Sequence, residues 1–512
     1  MAVKRTVILI VLDGWGIGRQ DESNPIHVVQ PKTFKWLEDN FPVTSLQASG
    51  IAVGLPWGEV GNSEVGHLTL GAGKVLYQYF PKITMAIKDG TFFENKALKD
   101  AFAHARKNNS CVNFAGLLSK GNVHASLEHL QALLKMAEVE KISNIKLHLF
   151  ADGKDVAPRT VEKFLEAIPR EKIATLTGRY YAMDRNGSWR LTESAYQNLT
   201  SQMGMLVADP HEVIESTYKK GFTEEYLPPL RLMEDPGLKD GDALFFFNYR
   251  EDSIRQLAES FIIPGFNQFT TKPIHDLYVA TMTHYRDDFD VPIAFPADKV
   301  EKPLGQILSE TGMAQLRLAE TYKYAHVTYF FNALKEPPYT GEYRTLVPSL
   351  PSIHAEEHPE MMAKAVTDRL LDAAQSLAFD FILVNYANGD TISHTANYDA
   401  SLQAVRVIDE ELARLFTVAV NPNTVVIVTS DHGNMEELLN PATGLPESQH
   451  DANPVPLYLV APEFQGRKFS NWRNLGAETL GSLADVAPTV LQLLGIPQSP
   501  EMTGHSLLDS LV

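Results

Sequence analysis

The sequence predicts an α/β fold built on largely parallel sheets, and two observations carry that reading. Short continuous apolar runs recur along the chain, each ending in a polar or acidic residue. Unalternated runs of Val, Ile, Leu and Phe of this length belong to strands covered on both faces. Helical patterns separate them, and strands alternating with helices imply parallel pairing through crossovers.

In chain order, the first run is Val7–Leu12, which leads into Asp13-Gly14. Ile145–Phe150 leads into Asp152-Gly-Lys-Asp155, and Ala243–Phe247 into Asn248-Tyr-Arg250. Phe381–Val384 leads into Asn385, and Val425–Val428 into Ser430-Asp431-His432. After Asp399, the residues Leu402, Val405, Leu412 and Leu415 recur on one helical face. Pro456–Val460 reads as a further strand, preceded by the loop Ser-Gln-His450-Asp-Ala-Asn-Pro. Ligands of parallel sheets bind beyond the carboxyl ends of the strands. That is where these polar residues fall.

At 512 residues the chain exceeds one core, and division into two or three domains is expected. Hydrophobic content of 44% with 21% charged residues is ordinary for a globular protein. A formal charge of −18 argues against nucleic acid or an anionic membrane as partner. An enzyme so charged that acts on an anionic substrate must bring its own cations, as metal ions, arginines or both. Cys111 is the single cysteine, which excludes an intrachain disulfide and a thiolate metal cage. Lys4-Arg5 before the first apolar run resembles the start of a signal peptide, but Asp13-Gly14 cuts the run short and no small-residue cleavage site follows. No apolar run approaches the roughly 18 residues needed to span a membrane. The expected compartment is the cytoplasm.

Metal-type residues cluster before residue 70 and after residue 390, while the stretch between has its own strand–helix alternation. The economical reading is a discontinuous domain, 1–76 with 298–512, and an inserted domain, 77–297. The predicted crossings are Lys74–Pro81 and Pro292–Pro303.

Asp390 and His394 stand four apart, so on a helix they share a face and could grip one ion; the plain alternative is a capping aspartate beside a surface histidine. Asp431 and His432 are adjacent, so joint ligation requires the chain to turn there, with Gly433 supplying the freedom. Asp13 has the same strand-end position, with Gly14 and Gly16 loosening the loop, against the alternative of a turn aspartate. Ser63, in Gly-Asn-Ser63-Glu-Val-Gly-His67, is the candidate nucleophile. Gly61 and Gly66 would allow a sharp exposed turn there, and the alternative is a helix-capping serine with Glu64 in the first turn. Three aspartates, three histidines and a hydroxyl, without sulfur, suit manganese, zinc or cobalt. Asp390, His394 and His450 would make one site; Asp13, Ser63, Asp431 and His432 would make the other.

The middle segment carries His124 in Gly121-Asn-Val-His124, Lys154 and Asp155, Gly178-Arg-Tyr-Tyr-Ala-Met-Asp184-Arg185, and Arg250. Arginine forks suit carboxylate and phosphate recognition, and surface ion pairing is the ordinary alternative. Lys323, in Glu-Thr-Tyr-Lys-Tyr-Ala-His, is one more cation.

These motifs together resemble the cofactor-independent (2,3-bisphosphoglycerate-independent) phosphoglycerate mutases of the alkaline phosphatase superfamily. The resemblance runs from Val-Leu-Asp-Gly-Trp-Gly through Gly-Asn-Ser-Glu-Val-Gly-His and Gly-Arg-Tyr-Tyr-Ala-Met-Asp-Arg to Asp-His-Gly-Asn and His-x-x-Asn-Pro-Val-Pro. It implies an alkaline-phosphatase-like domain holding two manganese ions, an inserted transferase-like domain and a phosphoserine at Ser63. It also implies interconversion of 3- and 2-phosphoglycerate, a small phosphorylated substrate. By position it places the metal ligands as above, with His124, Asp155, Arg185, Arg250 and Lys323 on the substrate; Lys154 and Arg190 are further candidate substrate contacts. Zinc or cobalt would substitute for manganese, and a monomer is expected.

The chain also departs from the pattern. Lys154 replaces an arginine; Leu191 replaces another, with Arg190 adjacent; and Ser253 replaces a third, with Arg255 two residues on. After Asp390 the family's Met-Val-Gly-His-Thr-Gly reads Thr-Ile-Ser-His-Thr-Ala. In the mechanism this implies, Ser63 attacks the phosphate, Lys323 assists the leaving group, and Asp155, with His124 as the alternative, takes the acceptor hydroxyl's proton. The rival readings are a metal-dependent phosphomonoester hydrolase of the same superfamily and a catalytically silent binding protein on this scaffold.

Overall fold

The computed structural model describes residues 5–351, 354–440, 442–467 and 479–512. Lys4 of the signal-like start lies outside these. The chain divides into two compact units, Met1–Tyr77 with Lys299–Val512, and Gln78–Asp298.

The first unit is an eight-stranded sheet. Its order is Glu342–Val347, Gln315–Glu320, Phe381–Tyr386, Thr6–Leu12, Thr424–Thr429, Val455–Val460, Val43–Gln47, Gly481–Ser482. The first five strands are mutually parallel, and Val455–Val460 runs against its neighbours. The continuous apolar runs form the centre because both faces are covered. Ile8, Ile10 and Leu12 pack into one core, with Ile382, Val384, Val426 and Val428. Val7, Leu9 and Val11 point into a second, with Leu383, Val425 and Ile427.

The Tyr398–Ala419 helix lies over the first of these cores. Asn397 caps it by accepting from the Ala400 N–H, satisfying one of the amides a helix start leaves free. Its buried stripe includes Val405, Ile408, Leu412 and Leu415, whereas Leu402 is only half-buried. Three of the four predicted face residues are thus buried, with Ala404 and Ile408 completing the stripe.

The second unit has a seven-stranded sheet ordered Met205–Leu206, Leu230–Arg231, Ile173–Gly178, Ile145–Ala151, Val112–Leu118, Ala243–Phe246, Tyr278–Thr281. The last five in that order are parallel. The buried His148 joins three of them, with Nδ1 3.0 Å from Thr175 Oγ1 and Nε2 3.1 Å from Asn113 Oδ1. No helix among the described residues is long and apolar enough to cross a membrane.

Candidate active site

The first unit's polar cluster forms where four parallel strands end. Asp13 follows Leu12, Lys323 follows the strand ending at Glu320, and Asp431-His432 follows the strand ending at Thr429. Asp390 lies on the short Asn388–Ser393 helix after Phe381–Tyr386, with His394 as its C-cap. His450 comes from the loop entering the antiparallel strand Val455–Val460, whose start lies at the same sheet end as its parallel neighbour's finish. Antiparallel direction is what brings a loop so far along the chain to the cluster.

Ser63 is buried as the first residue of the Ser63–Ala72 helix, and Asn62 is the cap, accepting from Val65 N–H. The sharp exposed turn does not form; the helix start is the reading that holds, with Glu64 in the first turn and Asn62 rather than Ser63 as the cap. Gly61 and Gly66 serve close approach instead: a Cβ on Gly66 would stand 2.6 Å from the Asp431 carbonyl oxygen. Gly14 does adopt the left-handed conformation, at φ +70°. Gly433 has no such backbone, and a side chain there would meet Asp451 and Glu436 at 2.2 Å, so space rather than freedom requires it.

Ser63 Oγ donates to Asp13 Oδ1 at 2.9 Å and lies 2.9 Å from His432 Nε2. Lys323 Nζ donates at 2.7 Å to each of Ser63 Oγ, Asp13 Oδ1 and Asp390 Oδ2. His450 Nε2 is 3.0 Å from Asp390 Oδ1 and 3.1 Å from His394 Nε2, which is itself 3.1 Å from Asp390 Oδ1. His394 Nδ1 faces the Ser448 carbonyl and His450 Nδ1 the Gly61 carbonyl, each at 2.8 Å. Carbonyls only accept, so both Nδ1 atoms carry protons. In the neutral rings, two imidazole lone pairs and a carboxylate oxygen then converge on one point. That arrangement is repulsive unless a proton on Nε2, which Asp390 favours at His394, or a metal cation joins it, and carbonyl-fixed tautomers are the usual support of metal-binding histidines.

Asp13, His67 and Asp431, all buried, bring side-chain nitrogen or oxygen atoms within 4.8 Å of one another, as do Asp390, His432 and His450. Asp431 Oδ2 is buried without a hydrogen bond, with His67 Nδ1 at 3.1 Å and His432 Nε2 at 3.7 Å. The oxygen and imidazole donors, without sulfur, fit divalent cations such as manganese, zinc or cobalt.

Charge here is strongly coupled. Burial alone would raise the Asp13 carboxyl, but the Lys323 ammonium and the His432 bond outweigh it and hold Asp13 well below the usual carboxylate range. Burial likewise opposes ionisation of Asp390, and bonds from His394 and His450 reverse the effect. Burial disfavours charge on Lys323 and His432 as well. The surrounding aspartates prevail, raising the lysine and pushing His432 up to about 10.

The second unit gathers a separate cluster at the carboxyl ends of its strands. His124 Nδ1 is 2.7 Å from Asp155 Oδ2, and Arg179 Nη1 donates to Asp155 Oδ1 at 2.8 Å and Asp152 Oδ1 at 2.6 Å. Burial works to raise Asp155, but His124 and Arg179 hold it below its ordinary value. Arg185 and Arg250 both donate to Asp252 Oδ2, at 2.5 and 3.2 Å. Ser253 is buried, with Oγ 3.4 Å from His124 Nε2. Lys154 is exposed on the loop after Ile145–Ala151. Arg190 is exposed, and none of the described bonds of this cluster involves it. Arg255 is committed elsewhere, donating to the Tyr285 carbonyl and Glu251.

Sequence reasoning assigned no role to His67, Asn385, Asp152 or Arg179. His67 lies in Gly-Asn-Ser-Glu-Val-Gly-His, Arg179 in Gly-Arg-Tyr-Tyr-Ala-Met-Asp-Arg, and Asn385 and Asp152 follow apolar runs, so their positions are legible in the sequence. Which partner each would meet is not.

By its parallel α/β fold and paired Asp/His donor groups the protein is a metalloenzyme, and residues 5–498 match the Metalloenzyme superfamily. It is 42% identical to the 2,3-bisphosphoglycerate-independent phosphoglycerate mutase of Thermomicrobium roseum over 98% of each chain. It is 39% identical to 2,3-bisphosphoglycerate-independent phosphoglycerate mutase 1 of Methanosarcina barkeri, over 99% of this chain and 98% of that one. Among solved structures it is similar to Leishmania mexicana phosphoglycerate mutase, crystallised at low cobalt concentration. That likeness has a TM-score of 0.53 and 27% identity, covering 98% of this chain and 97% of that one. The chain belongs to the 2,3-bisphosphoglycerate-independent phosphoglycerate mutases, an isomerase family.

Proposed function

We propose that the protein interconverts 3- and 2-phosphoglycerate through a phosphoserine at Ser63, with two manganese ions as cofactors and zinc or cobalt as substitutes. The observation that carries this is Ser63 Oγ held among Asp13, His432 and Lys323, each within 2.9 Å. Asp390, His394 and His450 would hold one ion; Asp13, Ser63, Asp431 and His432 would hold the other. Bound there, the ions offset charge on the transferring phosphoryl group and favour the ionised serine.

The chain's own residues do the rest. The Lys323 ammonium faces Ser63 Oγ, where it stabilises the attacking alkoxide and can return a proton to that oxygen when phosphoserine breaks down; assistance to the glycerate leaving group belongs to the same proposal. In the second unit, Asp155 is kept ionised by Arg179 and His124, the state a general base needs. Lys154, Arg185, Arg190 and Arg250 are the cations available to glycerate there. Cytoplasmic location and a monomeric state belong to the same proposal, and light scattering of the purified chain checks the second.

The decisive experiment incubates 3-phosphoglycerate with the protein and manganese and follows 2-phosphoglycerate, free phosphate and covalent phosphate on Ser63. The mutase reading expects 2-phosphoglycerate with little free phosphate, and neither product nor phosphoenzyme with Ser63→Ala. Free phosphate as the main product would make the protein a hydrolase instead. Undiminished isomerisation by the alanine variant would refute Ser63 as nucleophile.

A further inference from the structure

We infer that His67, acting through Asn385, is a positioning residue that fixes the Asp13 carboxylate against the Ser63 hydroxyl; this rests on the metal-and-phosphoserine reading above. The inference starts from a closed ring of contacts. His67 Nδ1 is 2.9 Å from the Ser63 carbonyl oxygen, which can only accept, so Nδ1 carries the proton. In the neutral ring Nε2 is then a lone pair, and Asn385 Nδ2 lies 3.0 Å from it. The same Nδ2 donates to Asp13 Oδ2 at 2.7 Å. Asp13 is ionised and can only accept, so the orientation of the Asn385 amide follows from chemistry. Asp13 Oδ1 then accepts from Ser63 Oγ at 2.9 Å, which returns the ring to its starting residue.

The ring therefore joins the nucleophile's backbone to its hydroxyl through three side chains from three chain segments. His67, Asn385 and Asp13 are each 0% exposed, so no water competes for these bonds. Hydrogen bonds so enclosed are strengthened by the low local dielectric and costly to leave unpaired. With Oδ2 taken by Asn385, Asp13 presents Oδ1 alone to Ser63 and Lys323.

His67 stands near enough to Asp13 and Asp431 to pass for a ligand itself, with Nδ1 3.1 Å from Asp431 Oδ2. Its two nitrogens argue otherwise. Nδ1 donates its proton to the Ser63 carbonyl, and the ring's single lone pair, on Nε2, accepts from Asn385, so none is free for a cation. The tight packing that Gly66 permits against the Asp431 backbone places the ring there. Outer partners of this kind are worth about 10–100-fold in metal affinity.

The test is titration of the full chain with manganese alone, by calorimetry, so that no substrate or activity enters the readout. His67→Leu and Asn385→Leu should each weaken manganese binding by about 10–100-fold while both equivalents still bind. His67→Asn keeps a donor near Nδ1 and should fall between His67→Leu and the unaltered protein. Because the two residues act in one chain of bonds, the double leucine variant should lose little more than either single one. Unfolding of each variant in chelator identifies any that fails to fold, and His67→Asn then carries the comparison.

Unaltered affinity in both His67 variants, or fully additive losses in the double variant, would overturn the inference. Loss of one whole equivalent on His67→Asn, with Asn385→Leu unaffected, would also overturn it, in favour of direct ligation. Failure of the mutase reading is seen separately, as absent 2-phosphoglycerate from the unaltered protein.

Discussion

Lys323 Nζ stands 2.7 Å from Ser63 Oγ while bonding Asp13 and Asp390, so one buried ammonium serves nucleophile and carboxylates together. The aspartates raise it above its ordinary value of 10.5. A lysine raised in this way stays charged below 10.5 and loses its proton only above it. The metal-free protein should therefore keep Lys323 charged up to about pH 10, which NMR titration of its ammonium checks. Lys323→Met should slow phosphoenzyme formation by about 10²–10⁴-fold, the usual worth of a positioned acid. Rapid-quench measurement of labelled protein checks this, and an unchanged rate would remove Lys323 from the chemistry.

Asp155 serves the acceptor hydroxyl in the proposed cycle, not the attack by Ser63. Asp155→Asn should accordingly still form phosphoserine from 3-phosphoglycerate yet yield 2-phosphoglycerate at least about 100-fold more slowly. A single-turnover experiment separates the two steps. Equal loss of both would show that the second unit's cluster acts in another way.

Bound metal should stabilise the fold by mass action. Manganese at 100 times its dissociation constant is expected to add about 2.7 kcal/mol per site, read as a rise in melting temperature that chelator reverses. His394→Ala should shrink that rise, because Asp390 and His450 would retain two of three converging donors. Protons compete for imidazole lone pairs, and the aspartates raise His432 to about 10 and lift His394 as well, so manganese affinity should fall as pH is lowered, starting above the ordinary histidine range. A melting temperature indifferent to manganese and chelator would contradict the metal assignment.

Acid should weaken the second unit through two histidines away from its charged cluster. Burial holds His129 and His148 each down to about 3, against an ordinary value of 6.5. Because the folded value is the lower, the unfolded chain takes up these protons first as pH falls. Stability from keeping the rings neutral is complete above about 6.5 and is lost towards pH 3. Each ring contributes a slope of up to about 1.4 kcal/mol per pH unit. Denaturant unfolding at pH 7.5 and 5 measures it, and His148→Gln should reduce the slope. Equal stability of the unaltered protein at both pH values would show that these rings titrate normally.

Much of this organisation could be read before any coordinates. The runs at Val7, Phe381 and Val425 are apolar at every position, and only a strand buried on both faces demands that. Their polar successors, Asp13, Asn385 and Asp431, had to emerge at one sheet edge once the strands ran parallel. The sequence alone thus determined the fold class, the metal-type inventory and the candidate serine, because each depends on local pattern and residue chemistry.

Tertiary structure decided the rest. Whether Ser63 lay in an exposed turn or a helix start depended on how closely its segment packs against Asp431, a contact across more than 360 positions. The partners of His67, the engagement of both Asp155 oxygens and the diversion of Arg255 to Tyr285 likewise depend on which side chains meet in space. Periodicity reports which way a residue faces; it does not report what waits opposite. Partner identity is set by long-range packing, and the electrostatics of this site follow from partner identity.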